Sequence, residues 1–136
     1  MSLDVSEDLL NKAERGEVGD ADFIECVKQS LPFAWELISK VVGDLKNGVA
    51  ASTGSARFAD NTTPPPDEQA RGQLLRVLAS DSMRGALERH FGVKLAFQNC
   101  HRVAAFPLSE VDSDTYRAFI SPRGQLLNQS PELRDC

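Results

Sequence analysis

Residues 20–48 place the tightest limit on how this chain folds. In the stretch DADFIECVKQSLPFAWELISKVVGDLKNG, the residues Ile24, Val27, Leu31, Trp35, Ile38, Val42 and Leu45 recur every three or four positions. That period lines one face of a helix. Pro32 interrupts it, and the residue before a proline is pushed out of the helical region. The spacing therefore predicts a break near Ser30, with Ser30 capping a second segment from Leu31 to Lys46. Asn47-Gly48 is a stop signal. Phe33 and Leu37 widen the apolar stripe, so the helix is expected to be largely buried or part of an interface.

A stripe that wide needs a second layer to cover it. Upstream, Val5 to Arg15 reads as a short helix, with Asp4 as N-cap and Glu7 three residues on. Gly16 and Gly19 bracket a turn before Asp20, which is placed to cap the next helix. Downstream, Pro66-Asp67-Glu68 opens a helix to about Ala79, with acids where the helix dipole favours them and Leu74, Leu75 and Leu78 on one side. Ser80 caps another helix to Phe91, in which Met83, Leu87 and Phe91 are four apart and Gly92 follows as the stop. Val93, Leu95 and Phe97 alternate with Lys94, Ala96 and Gln98, a strand pattern, and Val103 to Phe106 pairs back. Tyr116 to Ile120 reads as a third strand, Ser121-Pro122-Arg123-Gly124 as a type I turn, and Gln125 to Gln129 as the returning strand.

The predicted fold class is α+β: N-terminal helices, then two helices packed on a small antiparallel sheet of three or four strands. One domain is expected over residues 1–136, with a helical part at 4–48, a loop at 49–66 and a helix-plus-sheet part at 67–130. The loop, VAASTGSARFADNTTPPP, is rich in small and polar residues and reads as a mobile surface segment, with Phe58 its one large apolar residue. The length of 136 residues is enough for a core without staples.

Charge narrows the function classes. The net charge is −5, and residues 1–48 carry all of it, holding ten of the twenty acids and five of the fifteen bases. This balance works against phosphate backbones and anionic membranes and favours a partner with a basic patch. The three cysteines, Cys26, Cys100 and Cys136, do not make a disulfide framework. With no apolar run of membrane-spanning length and no leader pattern at Met1, the expected location is the cytoplasm, with reduced thiols and no membrane association.

Few residues carry recognisable chemistry. Asn99-Cys100-His101-Arg102 sets a thiol beside an imidazole, but neighbours on a strand point to opposite faces, so the two pair only within a turn. A buried cysteine more often acts as a small hydrophobe. No CxxC, HxxxH or HExxH spacing appears, and no glycine-rich phosphate fingerprint, so neither metal nor cofactor is expected. Helices and hairpin at 67–106 imitate a winged helix, yet seven bases against five acids between Arg57 and Arg102 make no clear basic face.

The expected function is that of a non-enzymatic accessory or regulatory protein that binds another protein, a second copy of itself included. Trp35 is its candidate binding residue, because tryptophan concentrates at interface hot spots. The alternative is a small-molecule-binding domain or enzyme with a site around Cys100 and His101, joined by Tyr116 or Arg117. A winged-helix-like nucleic-acid-binding regulator is the weaker alternative.

Overall fold

The computed structural model describes residues 3–55, 57–98 and 101–127. Over these the chain is α+β, with seven α-helices and one antiparallel sheet of three strands. The helices are α1 (Glu7–Glu14), α2 (Asp20–Ser30), α3 (Pro32–Lys46), α4 (Glu68–Leu78), α5 (Asp81–Phe91), α6 (Asp114–Ile120) and α7 (Pro122–Leu127). The strands are β1 (Ala59–Asp60), β2 (Val93–Gln98) and β3 (Arg102–Pro107), ordered β1-β3-β2.

Caps decide where the helices begin. Ser6, not Asp4, opens α1 by accepting from the Leu9 N–H. Asp67, Ser80 and Ser113 do the same for α4, α5 and α6. The α2–α3 break falls at Leu31, with Pro32 as the first residue of α3, where its missing N–H costs nothing. Ser30 does not cap α3; its hydroxyl accepts from the Asp4 N–H instead. Leu31 has no side-chain acceptor to offer, so the first amides of α3 look elsewhere. The Phe33 and Ala34 N–H groups donate to Gln73 Oε1 on α4, at 2.8 and 3.3 Å. Asp20 likewise does not cap α2; Gly19 stands at that position.

The predicted stripe forms the core. Ile24, Val27, Leu31, Ile38 and Val42 are buried with Leu74, Val77, Leu78, Met83 and Leu87 of α4 and α5, against Val93, Leu95, Val103 and Ala105 of the sheet. Trp35 and Leu45 sit at its margin, partly buried. Leu75, expected on the inner side of α4, is 42% exposed. Gly92 ends α5 in the left-handed region, with φ 70°, which a residue with a Cβ adopts only under strain.

Two expectations are corrected. Residues 49–66 are not a bare surface loop. Ala59 and Asp60 pair with Ala105 and Ala104 as an edge strand, and Phe58 is 3% exposed, stacked on Phe106 at 4.7 Å. The C-terminal hairpin is absent among the described residues. Tyr116–Ile120 lies in α6 and residues 122–127 form α7, with Pro122 as the first residue rather than the second position of a turn. Residues 128 and 129 of that expected strand lie outside the described residues. Tyr, Phe and Ile favour strands on a local scale. Here Ser113 capping the Tyr116 N–H at 3.1 Å starts a helix, and the three-residue step from Tyr116 to Phe119 turns both rings onto Phe106.

The sheet is therefore covered on both faces. Successive side chains of a strand alternate sides. Val103 and Ala105 meet α2–α5, while Ala104 and Phe106 meet Phe58, Phe119 and Tyr116. Gly124 lets α7 lie against α6, since a Cβ there would collide with the Ala118 carbonyl.

Phe58→Ala tests the correction to the 49–66 segment. Removing a buried, stacked ring costs about 3 kcal/mol or more. Urea unfolding is expected to show a loss of that size; a loss below about 0.5 kcal/mol, normal for exposed positions, would restore the mobile loop.

Candidate functional site

Two side-chain groups stand out, on opposite faces of the sheet. The first grows from the helix break. Pro32 starts α3 so that Trp35, one turn in, reaches the end of α5. The Trp35 ring lies 5.7 Å from His90 and 5.4 Å from Phe91 between centroids. Lys28 of α2 places its ammonium 4.9 Å from the same ring, within cation–π range. His90 is exposed, whereas Trp35 and Phe91 are half-buried. Beside them Asp20 opens α2 and Arg89 lies in the last turn of α5. The two form a bidentate pair at 2.7 and 2.8 Å. The hydrogen bond from Arg89, then its charge, lowers the Asp20 carboxyl below its ordinary range, and Asp20 raises Arg89 in turn. Both side chains are about half exposed, so the pair orients more than it stabilises. A recess of about 380 Å³ opens there, floored by Ala21 and Ile24 and edged by Glu25 and His90.

The second group is buried. Arg102 Nε donates to Asp60 Oδ2 at 2.8 Å, and its Nη1 donates to Gln98 Oε1 at 2.9 Å. Gln98 Nε2 donates to the Phe119 carbonyl at 2.6 Å. Ser52 donates to both Asp60 oxygens, through N–H at 2.8 Å and Oγ at 2.6 Å. The guanidinium also lies 4.9 Å from the Phe119 ring. The Asp60 carboxylate is wholly shielded from solvent and Arg102 nearly so. Asp60, Arg102, Gln98 and Ser52 are thus bonded in one chain, the arrangement of a latch.

The sequence-predicted site residues separate on this frame. Trp35 stands at the first group. His101 is 2% exposed, and its carbonyl accepts from Asn61 Nδ2 at 2.8 Å. Cys100 lies outside the described residues, so the Cys100–His101 pair has no geometry to report. Tyr116 packs edge-on against Phe106 at 5.0 Å. Arg117 points outward and pairs with Asp114 at 3.5 Å. Trp35 and Tyr116 thus belong to different cores. Among the described residues no group of three His, Cys, Asp or Glu is placed to hold a metal ion, and no helix is long and apolar enough to cross a membrane.

Sequence reasoning did not bring Lys28, His90 or Phe91 together with Trp35. Lys28 and Trp35 stand on either side of the break at Leu31 and Phe91 comes from α5, so no local spacing joins them. It also missed Asp60, Gln98 and Ser52, which no local pattern marks.

Comparison with known proteins gives one match. The whole chain, residues 1–136, fits a family whose label joins KH to NucS and whose description reads "NucS shadow ORF". The chain belongs to this family. No curated protein and no solved structure matches it.

Two outcomes test the buried group. Arg102→Met strands the Asp60 carboxylate, and breaking a buried pair costs about 3–5 kcal/mol. Denaturant unfolding is expected to show that loss, with partial recovery in Asp60→Leu/Arg102→Met; a loss under about 1 kcal/mol would mean the pair is solvated. His101 is held below its ordinary value by desolvation first, then by Arg71 and Arg102. The unfolded chain thus takes up a proton that the folded chain resists. Stability is full above the ordinary imidazole value of about 6.5 and declines as pH falls through and below it. His101→Asn should flatten that decline between about pH 7 and pH 5; an unchanged slope would contradict the assignment.

Proposed function

We propose that this protein is a non-enzymatic accessory or regulatory protein that binds another protein through the surface where α2, α3 and α5 meet. The observation that carries the reading is the Trp35 cluster. A half-buried tryptophan, ringed by His90, Phe91 and Lys28 and set beside a recess with an apolar floor, is the arrangement of an anchor at an interface. The family description names NucS, which makes NucS the first protein to test as partner.

The letters KH in the family label bring in a second reading, RNA binding. KH modules clamp backbone nucleotides with a Gly-X-X-Gly loop. One such sequence occurs, Gly16-Glu17-Val18-Gly19, between α1 and α2. Its Gly19 N–H is already given to the Asp22 carboxylate at 3.0 Å, and residues 14–20 hold three acids, Glu14, Glu17 and Asp20, against Arg15, with Arg15 on Glu17 and Arg89 on Asp20. The α4–α5 connection, Ala79-Ser80, contains no glycine, and Ser80 spends its hydroxyl on the Met83 N–H. Negative charge at the one loop and no glycine pair at the other favour a protein partner over a phosphate backbone.

The test is binding of purified NucS by the wild-type chain and by Trp35→Ala. Truncating an anchor tryptophan costs about 2 kcal/mol or more in binding, some thirtyfold in Kd. Trp35→Phe should retain most of the affinity, and matching thermal melts exclude misfolding as the cause. Unchanged affinity in Trp35→Ala would remove this surface from the interface. Failure to bind NucS or any captured protein, or turnover of a metabolite by the pure chain, would overturn the reading.

A further inference from the structure

Helix α1 is the one element of the N-terminal third that buries nothing. None of its residues is buried, Leu10 is 51% exposed, and Val5 just before it is 37% exposed. An isolated helix of eight residues is too short to be stable in water. Polar ties hold it: Lys12 to Asp22 at 3.1 Å, and the preceding Asp4 N–H to Ser30 Oγ at 2.8 Å. Between α1 and α2 a groove of about 340 Å³ stays open.

The lining of that groove specifies an occupant. Leu9 of α1 and Cys26 of α2 contribute apolar surface. Asp4, Asp8, Asp22 and Glu25 supply four carboxylates against a single cation, Lys12. Among the described residues, Asp22 is the only one of the four that is ion-paired, and it takes Lys12. A concave surface of one sign with low-dielectric walls concentrates the opposite charge. A second copy of the chain docked groove to groove would set this acidic rim against itself, since a two-fold interface pairs like with like. Glu25 also edges the recess beside Trp35, so the two openings lie on either side of α2.

We propose that the α1–α2 groove receives a segment of a partner protein rich in lysine or arginine, with apolar side chains to meet Leu9. This rests on the protein-binding reading above and adds the chemistry of the partner. Affinity should fall as salt rises, because exposed charges on the rim are screened.

The probe is a synthetic lysine–leucine repeat peptide, with the glutamate–leucine repeat as control, added to the full chain. Binding is followed by fluorescence anisotropy, and Cys26 alkylation by mass mapping. The basic peptide should bind, lose affinity with added salt and slow Cys26 alkylation severalfold, and the acidic peptide should do neither. Asp8→Lys/Glu25→Lys should weaken the basic peptide by about tenfold or more, and Arg117→Ala, at an exposed position on α6, should leave it unchanged. Should the reversals unfold the chain, Asp8→Asn/Glu25→Gln is expected to weaken binding in the same direction. Equal binding of both peptides, an unprotected Cys26, or indifference to both pairs of substitutions would overturn the groove assignment. If NucS binding still depends on Trp35 in that event, the functional reading stands and this inference alone falls.

Discussion

The buried ion pair of Asp60 with Arg102 ties together segments that lie far apart in the sequence. Taking two charges out of water is costly, and the cost is offset only where geometry is good and the remaining polar atoms find partners. Both conditions hold. Asp60 receives Arg102 and two donations from Ser52, and Arg102 also reaches Gln98, which holds the Phe119 carbonyl. The pair thereby fastens four segments that have little sequence proximity: the 49–58 stretch, the edge strand β1, the central hairpin and α6. Together with Asn61, whose N–H donates to the Val103 carbonyl, whose Oδ1 accepts from the Val103 N–H and whose Nδ2 donates to the His101 carbonyl, it keeps a strand as short as β1 on the sheet. With it, Phe58 is delivered onto Phe106, and the second face of the sheet closes.

That closure explains why the binding reading falls on the opposite side. The face lined by Phe58, Phe106 and Phe119 is consumed by packing. The face toward α2–α5 is also buried at its centre, but its margin at Trp35, Phe91 and His90 stays open to solvent. The recess beside this margin and the groove beneath α1 both border α2. The net charge of −5 is carried by residues 1–48, which include this helix and the turn before it. The helix layer thus sets the Trp35 cluster and the acid-lined groove on adjoining surfaces.

Much of the frame was legible in the sequence, for identifiable reasons. The stripe from Ile24 to Leu45 is long, and its period is unambiguous. Ser80, Gly92 and the alternation from Val93 to Phe97 act locally, so local reading found them. What could not be read depends on distant partners. Asp60 looks like any loop aspartate until Arg102, forty-two residues on, is placed beside it. Phe58 looks exposed until the Asp60 latch carries it inward. The Tyr116–Ile120 segment carries strand-favouring residues, and the Ser113 cap outweighed them. Of the candidate site, Trp35 was visible because tryptophan is rare here, whereas its ring neighbours arrive from α2 and α5. His101 was singled out for reactivity, but it is enclosed beside two arginines, an environment that no one-dimensional reading supplies.

The chain divides into a latched body and an arm, α1, none of whose residues is buried. Native-state hydrogen exchange measures that division directly, because local opening and global unfolding separate by rate. The amides of Ala51 and Ser52, which donate to the Ser55 carbonyl and the Asp60 carboxylate, are expected to exchange almost as slowly as those of Val103–Phe106, and the amides of α1 far faster than either. Rapid exchange at Ala51 and Ser52, at the pace of an untethered loop, would contradict the claim that the buried Asp60–Arg102 pair holds this segment in the fold.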